Sequence, residues 1–449
     1  MTPRMPVQLY AAALLLVAVL VWASSAGGML VAAAGVMLVL GVVALSLLGA
    51  HRAGVLVLMG AYFTAPFYKG VAIGGAASLV TATDLLLFAG FALLLPQLTR
   101  GRVRFPASYV VGVGIVLVCG LLSSALSPRY VESFIAVVFW MIVMIGLPIA
   151  FALWGPLARQ IDLLAASFVA GQAFSLVLGI AQGNEAMGRQ AGLSTHPNYL
   201  AQSGVMAVCL LLYLAHRHLG RTVLITTALV VGGLVAATSV WMSGSRAGTV
   251  VVAVLVLMIP FVERSAVGGF VMAALGALGL LLLPYLASLA GPNSVLARLS
   301  GDTSAQYATS ARSLGLEGGI DRFWEHPLLG SGLVDLFDIH NNFLEVAVGI
   351  GILGLVGYLL VLYALARPLF GAHEHRRLAY AVWAYIGFGA TVPSLYDRSV
   401  WAVVALGAIP MVLAARERAT PMSARTTTPT PAGAAPAPHV LAADPRSPS

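Results

Sequence analysis

Apolar runs such as VVGVGIVLVCGLLSSAL (110–126) and VAVGIGILGLVGYLLVLY (346–363) recur along the first four hundred positions. Each run is close to the roughly 20 residues that a helix needs to cross a bilayer. Backbone amides in lipid must be satisfied within their own segment, so a chain built this way folds as a set of spanning helices. Spans are expected near 7–23, 29–48, 53–68, 83–98, 108–126, 132–153, 162–182, 199–215, 222–241, 247–262, 267–289, 343–365, 377–394 and 399–414. Several are short or closely spaced, which gives an all-α polytopic membrane protein of about 12–14 transmembrane helices. With 60% hydrophobic and 9% charged residues, a soluble globular chain is excluded.

The first span is not followed by a convincing small-residue cleavage site and is expected to stay as a helix. Residues 1–415 are therefore read as one membrane domain, and 416–449, rich in Pro, Thr and Ala, as a disordered cytoplasmic tail. Cys119 and Cys209 lie inside apolar runs, with no metal or disulfide spacing. The net charge of +8 comes from residues scattered through short connections, a distribution that excludes a nucleic-acid stripe. All but one of the cations are arginine, Lys69 being the exception, and with abundant Ala, Val and Gly this composition fits a GC-rich bacterial genome. A cytoplasmic N-terminus with 14 spans puts 16 cationic residues inside and 8 outside, as the positive-inside rule requires. Arg189, His196, Arg246, Arg312 and His340 then share the outer face of a bacterial cytoplasmic membrane, where arginine should be scarce.

Residues 290–342 form one long outer loop with a high share of the chain's charges. A long connection is usually functional or disordered. Its segment SARSLGLEGGIDRFWEHPLLGSGL (310–333) mixes charges with Leu, Ile, Phe and Trp, and short ordered amphipathic helices are expected there.

Polar clusters interrupt the apolar pattern at GRQAGLSTHPNYLAQ (188–202), at WMSGSRAGTV (241–250), and from the long loop into DIHNNFLE (338–345). An SGSR turn opening one helix, an arginine ahead of WEHPLLGSG (324–332), and an HNNFL helix start occur in that order. This arrangement resembles the O-antigen ligase and O-antigen polymerase superfamily. The resemblance spans roughly 60–400, with specific motifs over about sixty residues. It implies an oligosaccharide donor on a polyprenyl pyrophosphate, a glycan or glycolipid acceptor, and inverting, metal-independent transfer outside the membrane with no cofactor. By motif, Arg246 matches the family's first essential arginine, Arg312 the second with Arg322 as the alternative, and His340 the essential histidine.

The residue types suit that chemistry. Arginine's planar fork holds pyrophosphate oxygens. Stabilising charge on a departing pyrophosphate is a large electrostatic effect, and histidine titrates where a base for a sugar hydroxyl is useful. Each residue also has a plainer reading. Arg246 could snorkel at a helix end, Arg312 could be a solvated loop charge, and His340 could simply precede a cap. Thr195 or Ser194 is expected to cap a helix with Pro197 in its first turn, leaving His196 at the boundary. Arg189 could meet phosphate or glycan, while Asn198, Asn341 and Asn342 suit sugar hydroxyls. Glu345 lies one turn inside its helix on the face of Asn341, where a carboxylate is costly unless it faces a polar cavity. Asp84 in TATDLLLF is expected to cap the span that follows it. A secondary transporter or lipid-linked glycan translocase is the alternative from another class, and polymerase against ligase stays open because the motifs are shared.

Overall fold

The computed structural model describes residues 29–67, 80–186, 188–289, 295–299 and 303–419. The expected span 7–23, Lys69 and the tail beyond 419 lie outside them. Among the described residues nine helices are long and apolar enough to cross a membrane, and Ala82–Leu93 and Ala266–Leu282 are shorter apolar helices. The protein is an all-α polytopic membrane protein.

In chain order the helices are α1 (Met29–Thr64), α2 (Ala82–Leu93), α3 (Leu95–Leu98), α4 (Ala107–Leu126), α5 (Tyr130–Met141) and α6 (Leu147–Trp154). They continue with α7 (Ala158–Ala181), α8 (Pro197–His218), α9 (Val223–Met242), α10 (Arg246–Glu263), α11 (Ala266–Leu289) and α12 (Val295–Leu299). The last five are α13 (Thr303–Glu325), α14 (Asn342–Ala366), α15 (Tyr380–Gly389), α16 (Arg398–Val404) and α17 (Ala408–Ala419). A π-turn at Ile142–Gly146 joins α5 to α6 in one 25-residue span. A two-residue hairpin, β1 (Glu185–Ala186) with β2 (Arg189–Gln190), precedes α8.

Helix starts follow from capping chemistry. Thr81 and Asp84 form a reciprocal capping box at α2, as expected of Asp84, and Ser245, Thr222 and Asp397 cap α10, α9 and α16. Two expected spans merge into α1, which bends at Gly49 where φ is 75°. The charged loop also departs from expectation. Instead of several short helices, Thr303–Glu325 is one continuous 23-residue helix. Glycine within it costs only about 1 kcal/mol each, and the first true stop is Pro327, just beyond its end.

The bundle is layered by burial. The windows of α8 and of Arg398–Glu417 are each 72% buried inside the protein, against 22% for α9. Trp140, Tyr213, Tyr358, Tyr385 and Trp401 fill the centre, while α9 and α11 present apolar residues outward as a lipid-facing surface does. Helices α4 and α14 cross closely at Gly112 and Gly357, where a Cβ on Gly112 would come within 2.7 Å of the Gly357 carbonyl.

Helix α14 is broken at Ile350–Gly351. The segment Pro327–Gly332 lies in the break: Ser331 and Gly332 amides donate to the Val348 and Gly349 carbonyls at 2.9 Å, and the Ile352 amide donates to Pro327 at 2.8 Å. Backbone groups freed within the bundle are thus satisfied by protein. The HPLLGSG segment is the strap that holds the N-terminal half of α14.

Helices α8 and α10 end together at a second polar region. There Arg217 pairs with Asp162 at 2.9 Å and with Glu374, and Glu263 binds Arg376 at 2.9 Å and Arg377. Their N-termini lie at the opposite end, some 30 Å away by helix length.

Candidate functional site

Three helices begin at that far end, and their starts meet. Helix α8 is capped by His196, whose Nδ1 accepts from the Asn198 amide at 3.1 Å. This corrects the expectation that Thr195 or Ser194 is the cap: the Ser194 hydroxyl donates to Ala191 and His196 carbonyls instead. Helix α10 starts at Arg246 behind its Ser245 cap. Helix α14 starts behind Asn341, whose Oδ1 accepts from the Phe343 and Leu344 amides at 3.0 and 3.1 Å. Each start carries a partial positive charge from its unpaired amides.

Arginines gather on these starts. Arg189 of β2, buried, donates to the Ser243 carbonyl at 3.4 Å, and Arg298 of α12, also buried, donates to Gly244 at 2.8 Å. The SGS turn between α9 and α10 is therefore clasped from two sides. Arg246 donates to the Thr309 hydroxyl of α13 at 2.9 Å, and Arg312 comes from the next turn of that helix. Helix α13 is seated against the loop before α14: a Cβ on Gly315 would lie 2.2 Å from the Asp338 carbonyl.

The groups feel one another. Burial lowers the Arg189 guanidinium to about 10, with Arg298 and Arg312 adding repulsion. Arg312 is lowered by burial and then by Arg246 and Arg298. His196 is pushed down to about 4, first by burial and then by Arg189, Arg312, His340 and Arg298. Burial and Arg312 lower His340, which Asp338 partly offsets. His340 also holds a left-handed backbone at φ 55°, uncommon for a residue with a side chain.

The expected site residues therefore divide. Arg189, His196, Arg246, Arg312 and His340 come together, and Arg298, which no motif marks, joins them. Arg322 does not: its guanidinium donates to the Asp335 and Val334 carbonyls at 2.9 and 3.3 Å, fixing the loop's path. Asn341 acts as a cap, and the Asn198 amide is bound to the His196 ring. Asn342, expected to meet a sugar hydroxyl, is instead wholly buried. Its amide donates to Tyr385 and Ser394 hydroxyls at 3.2 and 3.0 Å and accepts from the Ser394 amide at 3.0 Å, so its hydrogen-bonding groups serve helix packing.

Glu345 faces a cavity of about 500 Å³, beside the loop that carries His340. Thr81, Phe139, Leu336, Tyr396, Asp397 and Arg398 are among its walls. Burial raises the Asp397 carboxyl to about 6. Among the described residues no three His, Cys, Asp or Glu side chains gather as a metal-ligand group. No family model matches the chain, and no curated protein is significantly similar to it.

Proposed function

We propose that the protein is a membrane glycosyltransferase that moves an oligosaccharide from a polyprenyl pyrophosphate to an acceptor sugar hydroxyl, working at the extracytoplasmic face during cell-surface polysaccharide synthesis. The observation that carries this reading is the gathering of Arg189, Arg246, Arg298 and Arg312 on three helix N-termini at one end of the bundle. Helix starts and arginine forks both favour an anion rich in oxygen atoms, and their combination suits a pyrophosphate better than a single carboxylate. The arginine surplus in the positive-inside count supports the orientation, and the motif order resembling O-antigen ligases and polymerases supports the donor class.

In the proposed reaction the acceptor oxygen attacks the anomeric carbon from the face opposite the leaving group. A glycosidic C–O bond forms as the bond from that carbon to the pyrophosphate oxygen breaks. The bonding electrons leave with the pyrophosphate, whose growing charge the arginines stabilise. His340, held largely neutral by its surroundings, takes the hydroxyl proton. His196 has its Nδ1 occupied as an acceptor, so its Nε2 carries the proton and donates. It suits orienting a phosphate or sugar oxygen, not accepting a proton.

The test supplies purified full-length protein in lipid nanodiscs with lipid-linked repeats, with and without candidate acceptors, and sizes the products. Lengthened lipid-linked chains identify a polymerase, and transfer to a separate acceptor a ligase. Arg246→Ala should insert normally yet form no product. Product formation by Arg246→Ala at the wild-type rate would overturn the reading. The transporter alternative predicts instead that labelled lipid-linked glycan crosses the bilayer with no new glycosidic bond.

A further inference from the structure

The cavity beside the His340 loop is built differently from the cationic cluster. Its inner wall carries two buried carboxylates, Glu345 at 2% and Asp397 at 7% exposure. Among the described residues, Glu345 Oε1, Asp397 Oδ2 and the Tyr396 hydroxyl, each from a residue lining the cavity, have no hydrogen-bond partner. Leaving such atoms dry costs about 1–3 kcal/mol each, so three around one space call for a ligand that both donates to the carboxyl oxygens and accepts from the phenol, as a sugar hydroxyl does. The other oxygen of Asp397 is already used, accepting from the Ser399 amide at 3.1 Å and its hydroxyl at 2.5 Å.

Two further carboxylates, Glu132 and Asp335, lie on the same cavity with side chains 55% and 74% exposed, and both bind Arg129. Charged groups this exposed mark a mouth toward water or headgroups, not toward acyl chains. Among the described residues the one cation on the wall is Arg398, held by Asp84 at 2.5 Å. An anion would meet carboxylates here, whereas hydroxyl groups would find acceptors. Tyr396 adds ring surface for the C–H face of a sugar, while the Phe139 ring carries the Arg398 guanidinium 5.8 Å from its centroid. The volume of about 500 Å³ lies within the usual range for small-molecule sites.

We propose that this cavity binds the acceptor saccharide, and that it selects a neutral, hydroxyl-bearing sugar against an anionic one. The inference rests on the transfer reading and deepens it: donor pyrophosphate and acceptor sugar occupy separate sites, one lined by arginines and one by carboxyl and hydroxyl groups, on either side of the loop that carries His340. Asp335 and Leu336 of the cavity wall belong to that same loop, a few residues ahead of His340, so the two sites share one connection.

The test is saturation-transfer NMR on the full chain in nanodiscs, with methyl glucoside and methyl N-acetylglucosaminide against methyl glucuronide. Both neutral glycosides should receive saturation and the glucuronide at least tenfold less. Ala136→Phe, which fills the cavity from α5, should abolish transfer, and Glu345→Gln should weaken binding by about tenfold. Absence of transfer to the neutral glycosides on the wild-type protein would overturn the proposal. So would equal transfer in Ala136→Phe, or displacement of the sugars by a simple alkyl chain, which would make the cavity a lipid-tail site. Inorganic pyrophosphate, titrated in parallel, reports on the donor reading alone. Its binding should vanish in Arg246→Ala and survive in Ala136→Phe, which also certifies that variant as folded. Sugar binding without pyrophosphate binding would sink the donor reading and leave the sugar pocket standing.

Discussion

At the scale of single residues, the role of base proposed for His340 sets the expected pH behaviour. A base must be unprotonated, so activity should be full above its pKa and fall as pH drops through it. Burial and Arg312 lower that pKa, and the acid limb of the rate profile should therefore lie below the ordinary histidine value of about 6.5. His196, already neutral down to about 4, should add nothing to the limb. His340→Ala should reduce the rate by roughly 10²–10⁴ and remove the limb; a limb unchanged in that variant would assign the base elsewhere. Arg246→Lys should recover little, because an ammonium lacks the guanidinium fork. Asn342→Ala bears on stability instead. It strands buried groups on Ser394 and Tyr385 and should cost roughly 1–3 kcal/mol in a denaturation series.

At the scale of elements, Gly351 has a definite role. Its φ of 75° suits glycine, and a Cβ there would stand 2.0 Å from the Leu328 carbonyl. Gly351→Ala should lower Tm and loosen the strap, with protection of the Ser331 and Gly332 amides from hydrogen exchange falling before that of α8. Helix boundaries were largely legible in the sequence, because apolar runs bounded by Thr81, Thr222, Ser245 and Asn341 combine hydropathy with capping chemistry. The α14 break was not, since Ile350–Gly351 reads as a continuous apolar run and only the strap from residues 327–332 explains it. Within the site, motif order brought forward Arg246, Arg312 and His340. Arg298 escaped because its meaning comes from Gly244, across the chain. The HPLLGSG motif, read as a marker near the chemistry, turns out to be the strap itself. Asn342 looked like a ligand-facing residue because a helix start is polar whether its side chains face a substrate or a neighbouring helix.

At the scale of the whole molecule, two polar ends are joined by α8 and α10. The far end depends on Glu263, which binds both Arg376 and Arg377. Glu263→Gln should destabilise by roughly 1–3 kcal/mol, discounted from a buried pair because the carboxylate is partly exposed. Its effect on pyrophosphate binding should be small, as the change lies a helix length away. A large loss of binding would mean that the two ends are coupled.

The site also has a biosynthetic order built into it. Its arginines come from β2, α10, α12 and α13, His196 from the cap of α8, His340 from the loop before α14, and the Ser394 that anchors Asn342 from beyond α15. A ribosome delivers these pieces over more than two hundred residues of translation, so the nascent chain must place Arg189 and Arg246 at the membrane edge long before the rest arrives. A chain halted before α12 would carry Arg189 and Arg246 without Arg298, Arg312, His340 or the Leu333–Ser399 part of the cavity wall. Assembly of the candidate site is thus reserved for the last third of synthesis, and a co-expressed C-terminal fragment beginning near residue 290 is the natural way to ask whether the two parts can find each other in the bilayer.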